Sequence, residues 1–231
     1  MNSQCIGLAI LIPCGICLLL AGLTGCATSG GGIPPDRQAI AELGKIAVLT
    51  KRLEPQYERL DRPLNDGEAI VNAKPANLPA DNRHRQIQMI RESGVYDVFA
   101  HELARKFACA TDAEVRLLDK AGYIHEGSGG DRRLDALSSA MAQGFDAVLV
   151  ASVTPSLYEK QEEGNRYSRT GRMNVRLILQ QVPDGTILWD LTYSVGGLKY
   201  SSTGGDQFPA WYQLARDSAD RAMEWYAASR P

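Results

Sequence analysis

The chain has 231 residues, 23% of them charged, and a formal net charge of −2, which suits one globular domain with appendages. It has no basic excess to hold a phosphate backbone, so we expect no nucleic-acid partner. The first charged residue is Asp36, and the composition therefore divides the chain into an apolar leader and a soluble body.

The leader ends in a compact motif. Residues 5–23 are apolar and close to the length of a membrane-spanning helix. Directly after this run come Thr24, Gly25 and Cys26. With Leu23, the order of branched apolar, small, small, cysteine resembles the bacterial lipobox. The resemblance implies that a signal peptidase recognises Leu23, Thr24 and Gly25 and removes residues 1–25. The alternative is a plain N-terminal transmembrane anchor, because residues 1–4 lack the positive charge of an ordinary signal peptide.

Cys26 is the residue that the lipobox resemblance singles out. It implies a covalent diacylglycerol on the sulfur and an N-acyl chain, and we expect no other cofactor and no metal. Residues 26–36 are rich in Gly, Ser and Pro and predict a flexible tether. Ala27 is not the Asp that retains enteric lipoproteins in the inner membrane, so the resemblance favours the outer membrane, with the domain facing the periplasm.

Cysteine usage agrees with cleavage of the leader and lipidation of Cys26. Four of the five cysteines lie at or before residue 26, which leaves Cys109 alone in the body. No intramolecular disulfide is therefore expected, and the body, a single domain over 37–231, has to be stabilised by its core. Cys109 itself is predicted to be a buried and inert thiol.

The first part of the body combines short strands and helices. A buried strand is predicted over 45–50, followed by a Pro-rich insertion over about 51–85 with a short strand at 69–71. Apolar residues then recur at spacings of three and four from residue 86 to residue 107. This spacing indicates one amphipathic helix, or two helices broken at Gly94.

Strands and helices continue to alternate in the centre of the body. Residues 114–118 are predicted to be a strand. Asp131 can cap a helix that Gly144 ends. Residues 145–153 form a continuous apolar run, which is typical of a central strand.

The last ninety residues carry the clearest pattern. Residues 172–182 and 186–195 alternate in polarity around a Pro-Asp-Gly turn, which predicts an antiparallel hairpin. Its second strand places five apolar residues on one face: Ile187, Trp189, Leu191, Tyr193 and Val195. A final helix is expected from about Pro209.

Three of these segments resemble a small α/β domain of envelope proteins. They are the opening strand at 46–49, the strand at 145–153 and the hairpin at 175–189. The N-terminal domain of TolB, CsgG and LpoB share this layout. The resemblance implies the α/β class, with a mixed sheet of about five strands flanked by helices, of the anticodon-binding/TolB N-terminal type. It departs after Thr50, where the insertion replaces a helix. Residues 155–171 could be one extended hairpin, but their charges argue against lipid contact.

No catalytic motif is present. His84, His101 and His125 stand in no metal-ligand spacing. Cys109 lacks the partners of an activated nucleophile. The glycine-rich stretch at 127–131 has no P-loop lysine and is interpreted as a capped turn.

Aromatic residues offer a softer signal for binding. Tyr158 and Tyr167 lie among charges and are predicted to be exposed, and with the Pro-rich segment they form the candidate partner surface. The leading hypothesis is a lipid-anchored, non-catalytic periplasmic lipoprotein that binds other envelope proteins in secretion, export or cell-wall biogenesis. The alternative is an oligomerising subunit of an outer-membrane secretion channel, as in CsgG. A hydrolase is a third possibility that no motif favours.

Overall fold

The computed structural model describes residues 29–30, 32–60, 80–118, 131–161, 167–200 and 208–229. The strands are β1 (Ser29–Gly30), β2 (Lys45–Arg52), β3 (Gln56–Leu60), β4 (Glu114–Leu117), β5 (Ala147–Gln161), β6 (Tyr167–Gln181) and β7 (Ile187–Tyr200). The helices are α1 (Arg37–Ala41), α2 (Ala80–Glu92), α3 (Val95–Ala110), α4 (Asp131–Ala142) and α5 (Phe208–Ala228). Outside the described residues lie Leu23, Thr24, Gly25, Cys26 and His125, together with the segments 69–71 and 127–130, on which sequence predictions fall.

One mixed sheet organises the domain. Its strand order is β1-β7-β6-β5-β2-β4, and β3 pairs with the second half of β5. The strands β2 and β3 run parallel to β5, whereas β5, β6 and β7 are antiparallel neighbours. The α/β class and the mixed sheet flanked by helices are therefore confirmed. The sheet has seven strands rather than about five, because β5 continues to Gln161 beside β3 and the N-terminal residues add β1.

The larger core lies on the side of the sheet covered by α3 and α5. Phe107 stacks on Trp189 with ring centroids 6.1 Å apart. Tyr226 contacts Phe107 edge-on, with ring centroids 5.3 Å apart. The hydroxyl of Tyr193 donates to the carbonyl of Ser218 at 2.7 Å. Complete burial raises the pKa of Tyr193 well above its ordinary value. These contacts fix the predicted final helix on the predicted hairpin.

A smaller core lies on the opposite side, under α4. It joins Leu49 and Val148 of the sheet to Leu137 and Ala140 of the helix. Gly144, at φ +73°, ends this helix in the left-handed conformation that glycine adopts readily. Among the described helices, only α4 contributes to this cluster, and α1, α2, α3 and α5 all contribute to the larger one.

Two local details decide between sequence alternatives. Gly94 has φ +69° and separates α2 from α3, so the helical period belongs to two helices. On β7, a register shift pairs Leu179 with Trp189 and Gln180 with Ile187. The extra residue, Leu188, turns inward and is 3% exposed. The prediction that Ile187 shares the face of Trp189 is therefore wrong, because a bulge interrupts strict alternation.

None of the helices in the described ranges is both long and apolar enough to span a membrane.

Candidate functional site

The N-terminal residues lie along the outer edge of β7. We call the described residues 29–30 and 32–36 the strap. In the antiparallel register, Ser29 pairs with Tyr193 and Gly30 with Thr192. Further along, the amide of Asp190 donates to the carbonyl of Ile33 at 3.0 Å. The strap therefore follows β7 as an added edge strand.

A close backbone approach explains one glycine of the strap. A Cβ on Gly32 would lie 2.0 Å from the carbonyl oxygen of Asp190, so no other residue fits without displacement. The strap then joins the domain through Asp36, whose amide donates to the carbonyl of Leu188 at 2.8 Å and whose carboxylate accepts from the amide of Ala39 at 3.0 Å. The strap, which falls within the predicted tether over 26–36, lies against β7, and the flexibility of the tether stays a prediction.

A second surface is formed by β5, β6 and β7 on the same side of the sheet as α4. We call it the polar face, because the side chains between the core residues of β5, β6 and β7 are mostly polar there. The amide of Asn174 donates to the hydroxyl of Ser156 at 3.1 Å. Arg176 donates to Asp190 through two nitrogens, at 3.3 and 3.0 Å. The polar face consists of Ser152, Thr154, Ser156, Tyr158, Arg172, Asn174, Arg176, Asp190, Thr192 and Ser194.

The structure corrects the prediction for Tyr158. Its side chain is 5% exposed, and the guanidinium of Arg172 lies over the ring at 5.8 Å from the centroid. A Cβ on Gly196 would come within 2.5 Å of the Arg172 side chain, so this glycine leaves room for the arginine stem. Arg172 is therefore the group that this part of the polar face presents outward. Tyr167 begins β6 opposite Gln161, and its side chain lies outside the described part of the molecule.

A buried carboxylate lies on the opposite face of the same hairpin. The Glu159 side chain is 4% exposed, and its carboxylate accepts from Nε of Arg169 at 2.9 Å. Removing one partner of such a pair leaves an uncompensated buried charge, so the pair holds β5 and β6 together near their joined ends. The sequence does not reveal this pair, because the charges of this stretch resemble those of a solvated loop.

The remaining candidate groups lie apart from one another. Cys109 is exposed in the last turn of α3, which corrects its predicted burial, since the buried stripe of that helix runs from Val95 to Phe107 on another face. His84 and His101 are exposed, as expected for surface histidines. Within the described ranges, no three His, Cys, Asp or Glu residues converge as a metal site would require.

Comparisons with known proteins yield structural likenesses alone. No protein-family model matches the chain, and no curated protein matches it in sequence. The PelC dodecamer from Paraburkholderia phytofirmans is similar at 16% identity, with 83% of this chain and 93% of that chain covered and a TM-score of 0.33. The lipoprotein GNA1162 from Neisseria meningitidis has 13% identity, coverages of 77% and 98% and a TM-score of 0.31.

A third similar structure is the LpoB C-terminal domain from Salmonella enterica. It has 13% identity, covers 72% of this chain and 91% of that chain, and has a TM-score of 0.23. At these scores, the function has to be argued from this chain's own residues.

Proposed function

We propose that this protein is a lipid-anchored, non-catalytic accessory or assembly factor of the cell envelope. Its lipid is carried on Cys26, and its domain faces the periplasm from the outer membrane. In this role it binds another envelope protein during secretion, export or cell-wall biogenesis. A membrane tether raises the effective concentration of a binding domain for a local partner without any new contact.

The observation that carries the proposal is the short distance in sequence between the lipobox and the strap. The lipobox motif ends at Cys26, and the first paired residue of the domain is Ser29. A lipid on Cys26 would therefore hold a rigid domain directly at the membrane surface. Such an arrangement suits a protein whose task is to present a surface at a fixed place.

The polar face is the surface that we propose for the partner. Its side chains are held by cross-strand bonds, such as Asn174 to Ser156 and Arg176 to Asp190. A surface that is already ordered loses little side-chain entropy on binding. Arg172, stacked on Tyr158, is the kind of arginine and aromatic pair that recurs in binding hot spots.

The lipidation is tested by substitution of its acceptor. In cells labelled with a radioactive fatty acid, Cys26→Ala is expected to lose the label completely, because no other sulfur would be acylated. The matched control is Cys109→Ala, which removes the exposed thiol of the body and is expected to keep the label. Label persisting on the Cys26→Ala variant would contradict the assignment.

The partner surface is tested by site-specific cross-linking in cells. A photoreactive residue at Arg172 or Thr192 is expected to give adducts with another envelope protein. The control position is His101, which is exposed on α3 on the opposite side of the sheet. Equal adducts from both sides would argue against the polar face. Light scattering of the purified body tells whether the cross-linked partner is a second copy, as a channel subunit would require.

A further inference from the structure

The direction of the strap decides where the membrane anchor leaves the domain. The strap runs antiparallel to β7, which itself runs from Ile187 to Tyr200. The chain before Ser29 therefore leaves toward the Tyr200 end of β7. Because β6 is antiparallel to both neighbours, this is also the end at which β5 and β6 are joined. We call it the hairpin end.

The hairpin end reaches far beyond the start of the strap. Ser29 is level with Tyr193, which pairs with Val175, and Val175 pairs in turn with Val153. From Val153, β5 continues to Gln161, which is roughly 25 Å at about 3.3 Å per residue. The extended chain from Cys26 to Ser29 spans at most about 11 Å. The overhang of the sheet is therefore about twice the reach of the anchor.

We propose that the domain reclines on the membrane, with its strands inclined by more than roughly 60° from the bilayer normal. This inference rests on the proposed lipidation of Cys26. An upright sheet would drive the hairpin end into the lipid before the anchor could reach the surface. The strap lies on the outer edge of β7, so this edge faces the lipid headgroups. The opposite edge of the sheet, formed by β4, faces away from the membrane.

The charged residues of the hairpin end disfavour its insertion into the hydrocarbon core, which is the alternative to a reclining orientation. Glu159, near the end of β5, forms its ion pair with Arg169, near the start of β6. Charged side chains at the depth of the hydrocarbon core are costly and depth-dependent in β-structures. The reclining orientation leaves this pair outside the hydrocarbon while the short anchor still reaches its lipid.

The test measures three heights above one bilayer. Each protein is full-length and lipidated, carries Cys109→Ser, and has one added cysteine for a fluorescent donor: Thr170→Cys, Gln181→Cys or Arg116→Cys. Vesicles of phosphatidylethanolamine and phosphatidylglycerol carry the acceptor on their headgroups. The first two positions lie on β6, about 37 Å apart along the strand, and the third lies on β4, about 14 Å across the sheet from β6.

A reclining domain gives a height difference below about 19 Å between the donors at 170 and 181, with the donor at 116 farther from the membrane than either. An upright domain gives a difference near 37 Å between the donors at 170 and 181, with the donor at 116 nearly level with the one at 181, and this result would overturn the inference. Quenching of the donor at 170 by nitroxides on the lipid chains would overturn it as well, because the hairpin end would then be inserted.

A longer anchor provides the matched control. Ten Gly and Ser residues between Thr28 and Ser29 keep the strap and extend the reach beyond the overhang. Energy transfer is then expected to fall at all three positions, and unchanged transfer would show that the anchor does not set the orientation. A protein that incorporates no fatty acid and does not bind vesicles would contradict the proposed function. A lipidated protein that stands upright would contradict the reclining orientation alone.

Discussion

The two faces of the sheet are built from the same strands and differ in almost every other respect. On β6, Met173, Val175 and Leu177 point toward α3 and α5 and are buried. Between them, Asn174 and Arg176 point to the other side and pair with neighbouring polar groups. The first face therefore contains most of the buried apolar surface, whereas the second carries polar side chains. Period-two alternation makes this division possible.

The difference also explains where the helices lie. Four described helices contribute to the large cluster and one to the small cluster. A sheet with both faces fully covered would have near-continuous apolar strands, as β2 has at 46–49. The distal parts of β5, β6 and β7 alternate instead, because the described helices cover them on one side. Substitutions on either face test this contrast.

The largest effect is expected at the centre of the large cluster. Trp189→Ala removes an indole that is 1% exposed and contacts Phe107 and Tyr226. We expect a loss of about 3–5 kcal/mol in the free energy of unfolding, measured by urea denaturation. Tyr212→Ala, on the 38% exposed aromatic of α5, serves as control and should cost less than about 1 kcal/mol. Equal losses would contradict the assignment of the core to this face.

An intermediate effect is expected from a pair of matched leucines. Leu149→Ala opens a cavity in the large cluster, and Leu49→Ala opens one in the small cluster. We expect about 4 kcal/mol for the first and about 2–3 kcal/mol for the second, because α4 can settle onto the sheet and reduce the cavity. The same urea titrations measure both. A larger loss at Leu49 would reverse the ranking of the two faces.

The smallest effect is expected on the polar face. Arg176 is 55% exposed in its side chain and pairs with Asp190. Arg176→Ala should lower the free energy of unfolding by less than about 1 kcal/mol, because solvent screens an exposed ion pair. A double-mutant cycle with Asp190→Ala isolates the pair. A coupling of several kcal/mol would mean that this face stabilises the fold.

Much of the fold could be predicted because its signals are local. The turn at 183–185 places a carboxylate two residues before Thr186, whose amide donates to Asp184 at 3.1 Å. The break at Gly94 requires a left-handed backbone that glycine alone adopts without cost. In the last helix, Trp211, Ala215 and Ala219 recur at a spacing of four and are buried together. Each of these signals is contained in a few neighbouring residues.

The wrong predictions concern residues whose environment is set by contacts with residues far away in the sequence. Tyr158 stands among charges in sequence but is buried in space, where the guanidinium of Arg172 from the next strand lies over its ring. Leu188, and not Ile187, packs in the large cluster beside Trp189. The cause is a bulge in the pairing of β7 with β6. Cys109 is predicted to be buried because cysteine commonly is, but it lies outside the buried stripe of α3 and is exposed.

By itself, the amino-acid sequence determined the apolar leader, the strand β2 and the order of strands and helices from α2 onward, but not β1, α1 or β3. Composition, periodicity and turn chemistry act over a few residues and can be recognised in one chain. The tertiary structure alone decided that the strap lies along β7 and that the described helices cover the two faces of the sheet unequally. These features depend on pairings such as Ser29 with Tyr193, which no local pattern encodes, because hydrogen bonds between strands are independent of distance along the chain.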